Sequence, residues 1–312
     1  MNDETQTIEA GCGRRKGPVC GLLRRIAIVL EMIKFEHTLF ALPFALIAML
    51  LAARDYPVAG NRLPSVRTFV LIILACYGAR SAAMAFNRLA DVNQDRENPR
   101  TRGRALVTGL LTPRFVWVFM LFHAALFVAA AYFLNPSAFT LSRVALVIIL
   151  GYSYVKRFSW TTHFVLGLAL GIAPVGAWIA VRGAFDLRPI VLSLAVLLWT
   201  AGFDIIYACQ DYDFDLAKGI HSIPAQFGIT PALAISAAVH ALAWLAMLVF
   251  AWLAASGPIF ITGVVLVGAL LIFEHWIVRP GDLSRAGVAF FNVNGVVGIL
   301  LLACFLADLL IR

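Results

Sequence analysis

Nine stretches of roughly 20 predominantly apolar residues follow one another along this 312-residue chain, near 26–53, 68–90, 114–134, 138–155, 162–181, 189–208, 231–255, 259–278 and 286–310. Each is long enough to cross ~30 Å of hydrocarbon as a helix. None shows the alternation that marks a strand of a transmembrane barrel. A soluble domain is excluded, because 62% hydrophobic and only 13% charged residues leave too little polar surface to cover one. The sequence therefore predicts an all-α, polytopic membrane protein with nine spanning helices.

Charge gives the expected orientation. Placing the N-terminal tail and alternate loops on one side gathers fifteen Lys and Arg residues there, against seven on the other. By the positive-inside rule the richer side is cytoplasmic, so the N-terminus faces the cytoplasm and the C-terminus faces out. Residues 1–25 read as a polar, basic cytoplasmic tail beside anionic lipid, ahead of a single transmembrane domain over 26–312. This tail is not a cleavable signal peptide, since the apolar run after it is interrupted by Glu31, Lys34, Glu36 and His37 and no small-residue cleavage site follows. The five cysteines are scattered without a C-x-x-C pair and read as packing residues. No nucleic-acid partner is expected; the bilayer is the expected surroundings.

Against that apolar background, two acidic clusters stand out, each closing an apolar segment: Asn87-Arg-Leu-Ala-Asp91-Val-Asn-Gln-Asp95 and Asp204-Ile-Ile-Tyr207-Ala-Cys-Gln-Asp211-Tyr-Asp213-Phe-Asp215. Residues four apart lie on one helix face, ~6 Å apart along the axis. Asp91/Asp95 and Asp211/Asp215 are thus side-by-side carboxylate pairs that repel unless cations fill them. The simplest such cation is Mg²⁺ carrying a phosphate.

The clusters also superimpose. Asn87, Asp91 and Asp95 align with Tyr207, Asp211 and Asp215, and each cluster leads into a polar loop ending in Thr-Pro, Thr112-Pro113 and Thr230-Pro231. This argues for two four-helix repeats plus a final helix, with equivalent loops capping one cavity. The loops read Arg96-Glu-Asn98-Pro99-Arg100-Thr101-Arg102-Gly-Arg104 and Lys218-Gly-Ile-His221-Ser222-Ile-Pro224, and Lys156-Arg157 adds charge on the same side. Arginine forks match phosphate oxygens, so carboxylates and loops together suit a Mg²⁺-bridged diphosphate. Cations at loops are also plain topology determinants, but those alone would predict no paired carboxylates.

These paired motifs, N-x-x-x-D-x-x-x-D running into N-P-R-T-x-x-R and D-x-x-Y-x-x-x-D-x-x-x-D running into G-I-H-S-I-P, resemble the UbiA superfamily of intramembrane aromatic prenyltransferases. The resemblance spans essentially the whole chain. It implies a nine-helix bundle around a central cavity, Mg²⁺ dependence, and transfer of a polyprenyl chain from its diphosphate to an aromatic ring. Residue by residue, Asp91, Asp95, Asp211 and Asp215 are the implied metal ligands, with Asn87 in the first motif. The Gly-Tyr-Ser-Tyr154-Val-Lys156-Arg157 segment matches the family's short loop after helix four, where a lysine is expected to touch diphosphate.

The chemistry that follows assigns Arg102, Lys156 and Arg157 to stabilising the charge that develops as the allylic C–O bond breaks, with Arg100, Lys218 and Ser222 as further diphosphate contacts. Asp204 is the candidate to polarise the acceptor phenol or take the ring proton. Tyr207 either flanks the allylic cation or anchors the membrane interface. Arg80, two turns before Asn87 on the same face, is either a carboxylate receptor for an aromatic acid or a structural partner of Glu36, Glu31 or Glu274. Asn292 and Asn294 read as helix–helix hydrogen bonders.

Within the superfamily, Arg80 and the Gly-Tyr-Ser-Tyr segment look most like the 4-hydroxybenzoate polyprenyltransferases of ubiquinone synthesis in the bacterial inner membrane. Lys34-Phe-Glu-His-Thr-Leu and Gly-Ile-His-Ser-Ile-Pro also resemble a branch acting on a dihydroxynaphthoate-type acceptor in menaquinone synthesis. From another class, an ion-coupled transporter also shows intramembrane carboxylates and repeats, but it would carry them near the bilayer midplane rather than at helix ends.

Overall fold

A computed structural model describes residues 28–33, 38–57 and 60–311. The basic tail, Cys12, Cys20, Glu36 and His37 lie outside the described residues. After a helical stretch at 28–33 the chain forms α1 (Thr38–Asp55), α2 (Val66–Glu97), α3 (Pro113–Leu134), α4 (Pro136–Val155), α5 (Thr162–Arg182) and α6 (Leu187–Ala208). It continues with α7 (Tyr212–Lys218), α8 (Ile223–Phe227), α9 (Ile229–Leu253), α10 (Pro258–Ile277) and α11 (Asn294–Ile311). No strand forms among the described residues. Eight helical stretches among them are long and apolar enough to cross a membrane. The remaining expected span, 26–53, is described in two parts, 28–33 and α1.

Local chemistry sets the boundaries. Ser65 opens α2 by accepting from the Thr68 amide at 3.1 Å, and Thr112 and Asn135 do the same for α3 and α4 just ahead of Pro113 and Pro136. Gly183 closes α5 with a φ of 73°, the left-handed cap that lacks a Cβ penalty.

α2 has 32 residues. At 1.5 Å per residue it runs ~48 Å, well beyond the ~30 Å of hydrocarbon. Asp91 and Asp95 belong to its last two turns, and Asp211 and Asp215 lie just past the end of α6. Both clusters are thus at helix ends, the placement that separates this chain from a carrier. The second cluster differs from expectation in one respect. A 3₁₀ turn, Cys209–Asp211, separates α6 from α7, so Asp211 and Asp215 do not share one uninterrupted α-helical face.

α2 packs chiefly on α3, and α6 on α9 and α5. Each motif helix therefore lies against the helix that follows its polar loop, as repeated halves require. The core between α1, α6, α9 and α10 is aromatic, with Phe44, Trp199, Phe250 and Phe260 fully buried. Within it Asn294 joins helices: its Nδ2 donates to Glu274 Oε1 at 2.9 Å and its Oδ1 accepts from Trp199 Nε1 at 2.7 Å.

α5 and α6 meet along a glycine seam. A Cβ on Gly167 would stand 2.3 Å from the carbonyl oxygen of Leu197, and one on Gly171 would stand 2.8 Å from that of Ser193. Only glycine allows this approach, the packing a G-x-x-x-G spacing permits. His163 lies one turn before Gly167 on the same stripe and Asp204 two turns after Leu197, so the seam brings them together.

Candidate active site

One face of α2 carries Arg80, Met84, Asn87, Asp91 and Gln94 at alternating steps of four and three, with Asp95 beside Gln94 and Asn98 capping the helix, and all of them line a cavity of about 270 Å³. α4 contributes Tyr152 and Ser153, α5 His163, Leu166 and Leu170, and α6 Thr200, Phe203, Asp204 and Tyr207. Lys156, Arg100, Arg104, Asp211, Asp215 and Ser222 complete its polar end, and Phe40 and Phe290 its apolar side. The cavity is therefore polar at the helix ends and aromatic deeper in.

At the polar end, Asp91, Asp95, Asp211 and Asp215 are each held by a residue outside their own carboxylate pair. Lys156 Nζ lies 2.6 Å from Asp91 Oδ2, which also accepts from Asn87 Nδ2 at 3.0 Å. Arg104 Nη1 lies 2.6 Å from both oxygens of Asp95. Arg100 grips Asp211 through Nε at 2.9 Å and through Nη2, and its Nη1 donates to the Tyr207 hydroxyl at 2.8 Å. Asn98 Nδ2 adds a bond to Asp211 at 3.0 Å, and Ser222 donates to Asp215 Oδ2 at 2.8 Å. Burial is the largest influence and works against the Arg100 charge, but hydrogen bonding to Asp211 together with the electrostatics of Tyr207, Asp211 and Asp95 outweighs it and holds the guanidinium above its ordinary value.

Among the described residues no three acidic, histidine or cysteine side chains converge into a ready-made metal centre. The residues present nonetheless fit a hard divalent cation. Asp91 Oδ1 is buried without a hydrogen-bond partner, and the four candidate ligands Asp91, Asp95, Asp211 and Asp215 offer carboxylate oxygens. Mg²⁺ suits such a set, since it keeps several waters and binds through one or two carboxylates and substrate phosphates rather than in an all-protein cage.

Several candidates from the sequence sit elsewhere. Arg102 is exposed and does not line the cavity; the cation on Asp95 is Arg104. The loop explains the difference. It winds in successive turns, with Arg102 N bonded to Asn98 O and Thr108 N to Arg104 O, so Arg100 and Arg104 recur one turn apart with Arg102 half a turn between them. Arg157 lies outside the lining: its Nη2 donates to Ala90 O at 2.5 Å, stands 4.0 Å from Asp91 Oδ1, and its guanidinium stacks on Tyr154. Lys218 pairs with exposed Glu97 at the rim, where the two charges meet without desolvation.

Arg80 lies 11 residues before Asp91, ~16 Å deeper along the helix. Its Nε is buried and has no hydrogen-bond partner. The pairing with Glu274 does not form, because that carboxylate bonds Asn294 instead, and Glu31 is exposed. Glu36 lies outside the described residues.

Sequence reasoning quotes Asn98 and Arg104 as loop residues without assigning either an individual role, and it gives none to Tyr152 or His163. His163 Nδ1 lies 2.7 Å from Asp204 Oδ2, and Asp204 lines the cavity. These two residues are 41 positions apart, and only the glycine seam signals the contact. Tyr207 contacts both Arg100 and Phe290, with the Arg100 guanidinium 4.9 Å from its ring centroid and the Phe290 ring at 4.2 Å.

The profile of the UbiA prenyltransferase family matches residues 41–296. A 4-hydroxybenzoate octaprenyltransferase of Haemophilus ducreyi is 32% identical over 238 residues, covering 76% of this chain and 85% of that protein. Another 4-hydroxybenzoate octaprenyltransferase, of Aeromonas hydrophila subsp. hydrophila, is 30% identical over 245 residues, covering 78% and 85%. Among solved structures, the apo structure of a UbiA homolog from Aeropyrum pernix K1 superimposes with a TM-score of 0.79 at 35% identity, covering 88% of this chain and 98% of that one. The fold is also that of a UbiA homolog from Archaeoglobus fulgidus bound to GPP and Mg²⁺, with a TM-score of 0.69 at 22% identity and coverage of 90% and 99%.

Proposed function

This chain belongs to the UbiA prenyltransferase family and is a multi-pass membrane prenyltransferase, and we propose that it transfers a polyprenyl group from polyprenyl diphosphate to the ring of 4-hydroxybenzoate, with Mg²⁺, at a site facing the cytoplasm of a bacterial inner membrane. The observation that carries an aromatic acid as acceptor is Arg80. An unpartnered guanidinium deep in an apolar bundle costs several kcal/mol unless a ligand completes it, on the order of 2.5 kcal/mol at least. A benzoate carboxylate is the complement of that fork. The 4-hydroxybenzoate octaprenyltransferases among its relatives support the same reading.

The diphosphate belongs at the polar end, among Asp91, Asp95, Asp211 and Asp215. Mg²⁺ held there would neutralise the diphosphate and make it a better leaving group. Lys156, Arg104 and Arg100 stand on those same carboxylates and are within reach of phosphate oxygens. As the allylic C–O bond breaks, these cations stabilise the charge left on the diphosphate. Tyr207, Phe203 and Phe290 present aromatic faces between the two ends, where positive charge develops on the allyl group. Asp204, on the same wall, takes the proton that leaves the ring. A cavity of about 270 Å³ is at the small end for a ligand site, so a long prenyl tail extends beyond it into lipid.

The test is an acceptor competition in purified membranes. Labelled polyprenyl diphosphate and Mg²⁺ are given with 4-hydroxybenzoate and a dihydroxynaphthoate, and the product is identified by mass. Prenylated hydroxybenzoate is the expected product. A prenylated naphthoate would replace the acceptor assignment, and no Mg²⁺-dependent product from either acid would overturn it.

A further inference from the structure

His163 is 2% exposed, yet both of its ring nitrogens are engaged. Nε2 lies 3.2 Å from the amide nitrogen of Ile223, which can only donate. Nε2 is therefore the acceptor, and the proton of the neutral ring sits on Nδ1, from which it is donated to Asp204 Oδ2 at 2.7 Å. One oxygen of Asp204 is thus gripped from behind while the carboxyl group borders the cavity. The grip is anchored in turn. Ser222, the neighbour of Ile223, donates to Asp215 Oδ2 at 2.8 Å, and the His221 amide donates to Lys156 O at 2.8 Å.

We propose that His163 is a positioning residue for the acceptor half of the reaction: it fixes the orientation of the Asp204 carboxylate that takes the proton. The inference rests on the prenyl-transfer reading above. In the step concerned, the allylic C–O bond breaks with its electron pair going to the diphosphate, and a ring carbon bonds to the allylic carbon. The proton displaced from that ring carbon goes to the free oxygen of Asp204 and then to water. His163 neither gains nor loses a proton; it donates one hydrogen bond throughout.

Two conservative replacements in the full-length enzyme separate this role from simple packing. In His163→Asn the side-chain amide nitrogen falls where Nδ1 was, keeping the donor to Asp204. In His163→Gln the amide falls where Nε2 was, keeping a partner for Ile223. Positioning predicts that the Asn variant retains kcat within about 3-fold, while the Gln variant loses about 100-fold in kcat, the scale of a misplaced general base. In both, the KM for prenyl diphosphate and the affinity for an unreactive prenyl thiodiphosphate with Mg²⁺ stay as in the wild type. The opposite order, equal activity of the two variants, or parallel loss of thiodiphosphate affinity would each overturn the proposal. Wild-type turnover in the same assay secures the underlying prenyl-transfer reading, so a difference between the variants speaks to His163 alone.

Discussion

Lys156 Nζ stands 2.6 Å from Asp91 Oδ2, closing a contact between residues 65 positions apart, one at the end of α4 and the other near the end of α2. Together with Arg104 on Asp95 and Arg100 on Asp211, it leaves three of the four motif carboxylates neutralised by the chain itself. Desolvating those carboxylates without partners would be expensive, so the cations stabilise the substrate-free site. They then stand where a diphosphate needs them. On the proposed assignment of the diphosphate to these residues, loading is an exchange of ion partners rather than the filling of an empty anionic hole.

Asp95→Asn should abolish Mg²⁺-dependent product formation, with a loss of at least about 100-fold in kcat, while the protein still inserts and extracts as a folded species. Turnover and gel filtration of the same preparation check both halves. Normal turnover would remove Asp95 from the metal ligands.

Arg104→Gln and Arg102→Gln form a matched pair. Loss of the guanidinium that contacts Asp95 should lower kcat by about 100-fold, whereas loss of the exposed one should change it by less than about 2-fold. Steady-state kinetics at saturating acceptor reads the contrast. Equal effects would contradict the winding that turns Arg104 inward and Arg102 outward.

Arg80→Met should raise the KM for 4-hydroxybenzoate by about 10- to 100-fold and leave the KM for prenyl diphosphate unchanged. The same change should raise Tm, because it removes a buried Nε that has no partner. Kinetics with both substrates and thermal unfolding in detergent test the pair of outcomes. A fall in Tm would mean that Arg80 is a structural element of the bundle.

On the opposite face, hydrogen bonds from Arg188 to Asp186, at 2.8 Å from Nε and 2.7 Å from Nη2, hold the Asp186 carboxyl below its ordinary value of 3.8. A depressed carboxylate contributes stability that is present above its unfolded value and lost as pH falls through its folded value. The Tm difference between wild type and Asp186→Asn should therefore be steady from about pH 7 to about pH 5 and shrink below about pH 4. A difference that widened with acid would reverse the assigned sign.

Periodicity alone makes the membrane class and the α2 face legible. Arg80, Asn87, Asp91 and Asp95 lie on one helix, where four-and-three spacing is enough to align them. Loop residues are less legible, because a turn sequence does not announce its own winding; charge alone offers Arg102 as readily as Arg104, and only Arg104, the last arginine of the N-P-R-T-x-x-R motif, makes the contact. The Asp211–Asp215 pair loses its regular spacing to a 3₁₀ turn for which Cys209-Gln-Asp211 gives no cue. His163 escapes a sequence reading for a different reason. Its partner is on another helix, and such a contact depends on how closely two backbones approach.

That approach has a consequence for how a lipid enters. Where Gly167 and Gly171 press against the α6 backbone there is no side-chain layer to slide or compress, so this wall behaves as a rigid anvil. Motion that admits a long isoprenoid must come from elsewhere in the bundle. The proton-accepting edge can then stay in register while the opposite boundary breathes, and the reaction keeps one fixed reference surface for substrates of any tail length.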